Sequence, residues 1–383
     1  MHNPKNVVFF GFFVYALALG SMFPRLSDLQ QALDIDKATL GFALIGLPVG
    51  VQLTLLFADR LVRRIGLFRI MAYGIPLIAG SQCLVALANT PLFFFLFLTL
   101  GGVGVALIEV AVNLEADRVE AHTGQRIMNR SHAFWSFGFF GAGFIGSALA
   151  QLGVQPFLHF ALIALLASAA TLYVFLNYSP APSRHQYTPD AGFSIIIPSR
   201  GVMLLVAFTV SAMLVEGSSI DWSVIFMRES FDAVPFTAGL SLTLAALSQA
   251  ITRYFADPLV ERFSASRVCT ISILVMALGV ALVSFSTHQE IALVGFFLMG
   301  AGSAVIFPLS MSAAAQRTDR SAEENVAALA QFAFVTFLFA PPILGFIGEI
   351  LGLRWAFALA FPLLVLSYFS RSAINVLDQK TPN

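Results

Sequence analysis

Phe57-Ala58-Asp59-Arg60-Leu61-Val62-Arg63-Arg64 returns, about half a chain later, as Phe255-Ala256-Asp257-Pro258-Leu259-Val260-Glu261-Arg262. Each copy lies between two long apolar runs, so the repeated element reads as a charged loop joining two membrane-spanning helices. The chain is therefore expected to be a duplicated membrane protein with two like halves.

Composition supports that reading. With 58% hydrophobic and 11% charged residues and a mean hydropathy of +0.84, the chain of 383 residues has too little polar surface to cover a water-soluble globule. Its 39 phenylalanines suit a surface in contact with lipid, and the net charge of zero gives no footprint for nucleic acid. Cys83 and Cys269 fall in apolar runs of different halves, without a His/Cys spacing for a metal, so neither a disulfide, zinc nor a cofactor is expected. An apolar run begins at Val7 after Lys5 and is not ended by a small-residue cleavage pattern, so it reads as the first span.

Runs long enough to cross about 30 Å of hydrocarbon at 1.5 Å per residue fall near 7–24, 40–58, 68–87, 91–114, 132–151 and 156–177. After a Pro- and Ser-rich stretch, six more fall near 201–227, 236–255, 267–285, 291–314, 327–347 and 353–371. The expected architecture is an all-α protein of 12 transmembrane helices: a six-helix bundle over 1–178, a cytoplasmic linker over 179–200 and a second bundle over 201–383. Roughly 17 of the 21 Lys and Arg fall at the termini, in the linker or in the loops on one side, which places both termini in the cytoplasm. Arg25, Lys37, Arg228 and Arg354 fall in the opposite, outer connections. The repeat also covers the fourth helix of each half, where Gly101–Arg118 aligns with Gly300–Arg317. Six spans per half leave both copies in the same orientation, related by an axis along the membrane normal.

The loop Asp59-Arg60-Leu61-Val62-Arg63-Arg64 resembles the signature between the second and third helices of the major facilitator superfamily, although Leu55 and Val62 stand where that signature has glycines. The resemblance covers the whole chain and implies a two-bundle transporter. It also implies gating by Asp59, Arg60, Arg63 and Arg64 and by their counterparts Asp257 and Arg262, through charge pairing with helix ends and headgroups. Basic residues that only set topology are the alternative. A narrower resemblance, to the fucose-permease-like branch and a rhizopine-transport-like group within it, rests on several stretches. These are Ile108-Glu109-Val110-Ala111-Val112-Asn113, Gly124-Gln125-Arg126-Ile127-Met128, His132-Ala133-Phe134-Trp135-Ser136-Phe137-Gly138, Glu216-Gly217 and Asp221-Trp222. It implies a sugar, polyol or inositol derivative as solute, carried with protons. The branch's first-helix Asp, partner of its fourth-helix Glu, has no counterpart in this chain.

Polar residues within apolar runs are the candidates for function. A carboxylate in hydrocarbon costs a few kcal/mol, so Glu109 calls for a partner, a proton or a wet cavity. Asn113 lies one turn further on the same face and could orient a hydroxylated ligand with it, or the two could tie helices together. Glu216 is the second proton-coupling candidate, and the Gly217-Ser218-Ser219 that follows is expected to kink or unwind the seventh helix. A break there would bring Asp221 and Trp222 to the solute, while an outer carboxylate with a headgroup-anchoring Trp is the alternative. Trp135 offers a ring face for sugar C–H groups, with Ser136 beside it, and Tyr15, Gln52, Gln249 and Gln331 are further binding candidates. Arg253 is expected to pair with an acid of the inner loops or to reach the headgroups, and to gate. His132 reads as a structural or gate residue.

The function expected is secondary transport of a small polar solute by alternating access, in proton symport, with uniport as the lesser case. Lipid, solute and protons are the expected partners, and a monomer in a bacterial inner membrane the expected form. No phosphate-cradling Gly-rich Lys-Ser/Thr loop is present to couple ATP, and no catalytic constellation suggests an enzyme. Efflux of hydrophobic compounds and a non-transporting sensor of the same fold are the alternatives.

Overall fold

A computed structural model describes residues 3–125, 127–182 and 197–380. Hydrocarbon offers no hydrogen-bond partner to the backbone, so a spanning segment must satisfy its own N–H and C=O groups, and the described chain does so as helix. Among the described residues, eleven helices are long and apolar enough to cross a bilayer: Pro4–Leu33, Lys37–Leu55, Leu67–Ala86, Pro91–Thr123, Arg130–Gln151, Pro156–Leu176, Arg200–Asp221, Ala265–Phe285, Gln289–Ala315, Glu324–Ile350 and Leu353–Asp378. The remaining member of the expected set, Pro235–Tyr254, is a 20-residue helix whose Thr, Ser, Gln and Arg side chains make it less apolar than the others. Counting it as the eighth span restores the six-and-six order. The chain divides into two compact units, one built on the first six spans together with residues 234–243, the other on the rest. Most of the expected 179–200 linker lies outside the described residues.

Local sequence sets the helix ends. Thr90 caps the fourth span by accepting from the Phe93 N–H at 3.3 Å, with Pro91 in the first turn, and Gly124 at φ +67° closes it. Both copies of the repeated loop are short helices, Ala58–Ile65 and Ala256–Phe263. The first ends on Gly66 at φ +89°, and the second ends at the equivalent place on Ser264 at φ +74°, ψ 151°, a conformation that suits glycine.

The duplication extends to packing. A Cβ on Gly102 would stand 2.3 Å from the Leu47 carbonyl oxygen, and one on Gly300 would stand 2.2 Å from that of Ala245, at the equivalent contact of the other half. The fourth span thus approaches the second at backbone distance, as the tenth approaches the eighth, and a side chain at either glycine would push the pair apart.

Several polar groups fix the ends of these helices. Arg25, in an expected outer connection, is buried, its Nε donating to Asp28 Oδ2 and its Nη2 to the Val154 carbonyl, each at 2.6 Å. Glu115, fully buried, accepts from the Tyr178 hydroxyl at 2.5 Å and the Ala181 N–H at 2.8 Å, pinning the chain as it leaves the sixth span. On the approach to the seventh span, the Ser199 hydroxyl donates to Asp319 at 2.5 Å and Arg320 donates to the Ile197 carbonyl at 2.7 Å. Asp378 caps the ninth span from outside, accepting from the Ala265 and Ser266 N–H groups at 2.9 and 3.2 Å.

Candidate functional site

In the first unit the polar centre grows from the fourth span. Glu109 and Asn113 are one helical turn apart, so their side chains meet: the Asn113 amide donates to the Glu109 backbone carbonyl at 2.9 Å and to its Oε1 at 3.0 Å. Tyr15, buried on the first span, brings its hydroxyl within hydrogen-bonding reach of both the Glu109 carboxylate and Trp135. The Tyr15 and Trp135 rings are 6.4 Å apart, Trp135 stacks on Phe139 at 5.2 Å, and Phe139 meets Phe23 at 5.5 Å, which makes an aromatic wall along the first and fifth spans. Four residues singled out by sequence, Tyr15, Glu109, Asn113 and Trp135, therefore converge.

The chemistry of this cluster follows from its donors. Glu109 accepts from the neutral Asn113 amide, lies near the Tyr15 hydroxyl and, among the described residues, has no ion-pair partner. Such a carboxylate keeps free lone pairs for a hydroxyl or a proton, and both it and Asn113 are only half-buried, so a ligand can reach them. Ser136 is buried and directs its hydroxyl to the His132 carbonyl at 3.3 Å, so it offers that proton to its own helix. His132 sets its ring edge-on to Phe12 at 5.0 Å.

The second unit has a different centre. Arg253 Nη2 lies 3.5 Å from Glu216 Oε2, and Arg253 Nε donates to the Ala304 carbonyl at 3.1 Å. This corrects the expectation for Arg253, whose partner is an acid of the seventh span rather than of an inner loop or a headgroup. The guanidinium reaches back along its helix because a charge within apolar surroundings is lowered in energy by an opposite charge and an unused carbonyl. The seventh helix also differs from expectation, running unbroken through Gly217-Ser218-Ser219 to Asp221. Ser218 and Ser219 return their hydroxyls to the Val215 carbonyl at 3.0 and 2.8 Å and so remain inside the helix, and Gly217 makes room for the Phe337 ring. The interruption falls at Trp222, before a second helix, Ser223–Phe231. Trp222 is only 1% exposed, which argues against a headgroup anchor, and its Nε1–H has no hydrogen-bond partner among the described residues.

The other candidates are dispersed. Gln249 is buried one turn from Arg253, Asp221 is half-buried at the end of its helix, and Gln52 and Gln331 are exposed. Of the proposed gate, the side chains of Asp59, Arg60 and Arg63 lie outside the described residues, Arg64 and Asp257 are exposed, and Arg262 sits over the Phe263 ring at 5.2 Å. Two residues outside the sequence-predicted set matter as well: Glu115, which anchors the chain as it leaves the sixth span, and Pro308, which interrupts the tenth span. Among the described residues no cluster of His, Cys, Asp or Glu could hold a metal ion, and both cysteines are free.

Two duplicated sets of spanning helices, each with a polar centre joining its first and fourth members, define a multi-pass membrane transporter. A family profile described as Major Facilitator Superfamily matches residues 8–220 and, in a second match, 204–373, and the chain belongs to that superfamily. It is 26% identical over 367 residues to an uncharacterized MFS-type transporter of Yersinia pestis, covering 95% of this chain and 94% of that protein. It is 23% identical over 356 residues to membrane protein MosC of Rhizobium meliloti, covering 91% and 84%. Among solved structures it is similar to a mutant form of the nucleoside transporter NupG, with a TM-score of 0.77 at 14% identity over 97% of this chain and all of the other. It is likewise similar to a D-xylose-proton symporter, with a TM-score of 0.76 at 12% identity over 97% and 96%.

Proposed function

We propose that this transporter moves a small polyhydroxylated solute, a sugar, polyol or inositol derivative, by alternating access in symport with protons. The observation that carries this reading is the Glu109 carboxylate, held by the Asn113 amide with the Tyr15 hydroxyl nearby and the Trp135 ring next to Tyr15, and with no cation paired to it among the described residues. A ring of C–H groups stacks on an indole face, while vicinal hydroxyls exchange hydrogen bonds with a carboxylate and an amide. An uncompensated intramembrane carboxylate favours taking a proton before it moves away from water, which is how a proton gradient can drive a solute uphill. The charge bias of the loops supports an orientation with both termini in the cytoplasm, and a monomer in a bacterial inner membrane belongs to the same reading.

The test is proton movement in proteoliposomes holding a pH-sensitive dye, with sugars, inositols and amino-inositols added outside to wild type and Glu109→Gln. Acidification of the lumen driven by one compound and lost in the variant is the expected result. Solute entry without proton movement, equal in both proteins, would overturn the coupling role of Glu109.

A further inference from the structure

Proline at position 308 has a consequence four residues upstream. In a regular helix the Ala304 carbonyl would accept from the N–H of residue 308, but Pro308 has none, and the tenth span breaks there into Gln289–Ser303 and Ile306–Ala315. The Ala304 carbonyl is thus left within a buried stretch without its helical donor, and the Arg253 Nε–H supplies one at 3.1 Å. The same guanidinium extends its Nη2 to Glu216 Oε2 at 3.5 Å, and the exposures of the two side chains are only 20% and 17%. A single planar fork therefore joins the eighth span to the seventh and to the break in the tenth, using two nitrogens of fixed relative direction, which a lysine ammonium cannot imitate.

The internal repeat makes the arrangement more telling. Since the backbone contact of Gly102 recurs at Gly300, Pro308 occupies the position of Val110, next to Glu109, and Ala304 that of Ala106. Where the first half places a carboxylate close to the Tyr15 hydroxyl of its first span, the second places, at the neighbouring register, a helix break tied to the equivalent span through Arg253 and Glu216.

We propose that Arg253 is a positioning residue for transport: it holds the proline break of the tenth span against the seventh, and loss of its contact with Glu216 frees that break to move. The proposal rests on the chain being a transporter that cycles, yet it can be read from the helix itself. The experiment is amide hydrogen exchange over residues 300–312 in lipid nanodiscs, without solute, for wild type, Arg253→Lys, Glu216→Gln, Pro308→Ala and the pair Pro308→Ala/Arg253→Lys. Arg253→Lys keeps the charge but loses the fork, and Glu216→Gln loses the anion. Each is expected to raise exchange roughly tenfold or more, as loss of a charge-assisted hydrogen bond should. Pro308→Ala restores the helical donor, so in the pair the exchange returns to the wild-type value. If Arg253→Lys does not assemble, recovery of assembly in the pair is the same expected result. Wild-type exchange in Arg253→Lys, or a pair as loose as Arg253→Lys alone, would overturn the role of the Ala304 contact. Unchanged exchange in Glu216→Gln would overturn that of Glu216. The readout needs no proton flux, so failure of the symport reading leaves it intact, and the reverse holds.

Discussion

At the scale of the residue, Trp222 shows how far a side chain's neighbours can depart from its place in the sequence. A Trp following an Asp near the end of an apolar run suggests a ring at the headgroups, yet this one is 1% exposed. Among the described residues its N–H has no partner, so there it contributes through its volume. Trp222→Phe is accordingly expected to lower the melting temperature of the detergent-solubilised protein only slightly. Trp222→Ala opens a cavity and costs about 3–5 kcal/mol of stability, which the same melting experiment detects as a large drop. Equal melting of both variants would show that the ring is not packed as described. Glu109 and Asn113 were legible as a pair because helical geometry alone sets residues four apart on one face. Their closeness to Tyr15 was not, because it depends on how the first span packs against the fourth.

Among the elements, apolar runs announced the spans, since nothing but a helix can satisfy its own backbone in hydrocarbon. Their interruptions were harder to read. Gly217-Ser218-Ser219 resembled a breaker and is helical, because two hydroxyls bond to the Val215 carbonyl and leave the ladder intact. Pro308 was a readable signal for the real break in the tenth span, but the residue that answers it, Arg253, lies on another helix and could be assigned only from the fold. The repeated loops give a cleaner test. Ser264 holds φ +74° and ψ 151° at the place where the first copy has Gly66. Backbone of that kind costs a residue with a Cβ about 1–3 kcal/mol. Ser264→Gly removes that strain but also a weak cap, the Ser264 hydroxyl accepting from the Arg267 N–H at 3.4 Å. The expected outcome is a net rise in melting temperature, and a fall would mean that the cap outweighs the strain.

For the whole molecule, the two halves share helix order and close backbone contacts but not their polar centres, so duplication could be read from sequence while the division of labour could not. The chain on either side of the linker is fastened within its own unit, at Glu115 and at Asp319. The Ser199 hydroxyl, with help from Arg317 and Asn325, holds the Asp319 carboxyl below its ordinary range. A carboxylate lowered in the folded state stabilises above its unfolded pKa, about 3.9, and loses that contribution as pH falls through the lowered value. Amide exchange over residues 197–203, corrected for its intrinsic pH dependence, is therefore expected to stay flat from about pH 5 to 8 and to rise only below about pH 4. Asp319→Asn should raise it at neutral pH. A rise in the wild type above about pH 5 would assign the fastening to another group.

The three tryptophans occupy three unlike surroundings: Trp222 is sealed in the interior, Trp355 is 59% exposed, and Trp135 stands beside Tyr15 and the Glu109 carboxylate. The molecule therefore carries its own fluorophore at the site. With Trp222 and Trp355 both changed to Phe, the remaining emission comes from an indole whose intensity and colour respond to whatever displaces water or charge at Glu109. Solutes could then be screened by light alone, before any is known to be carried.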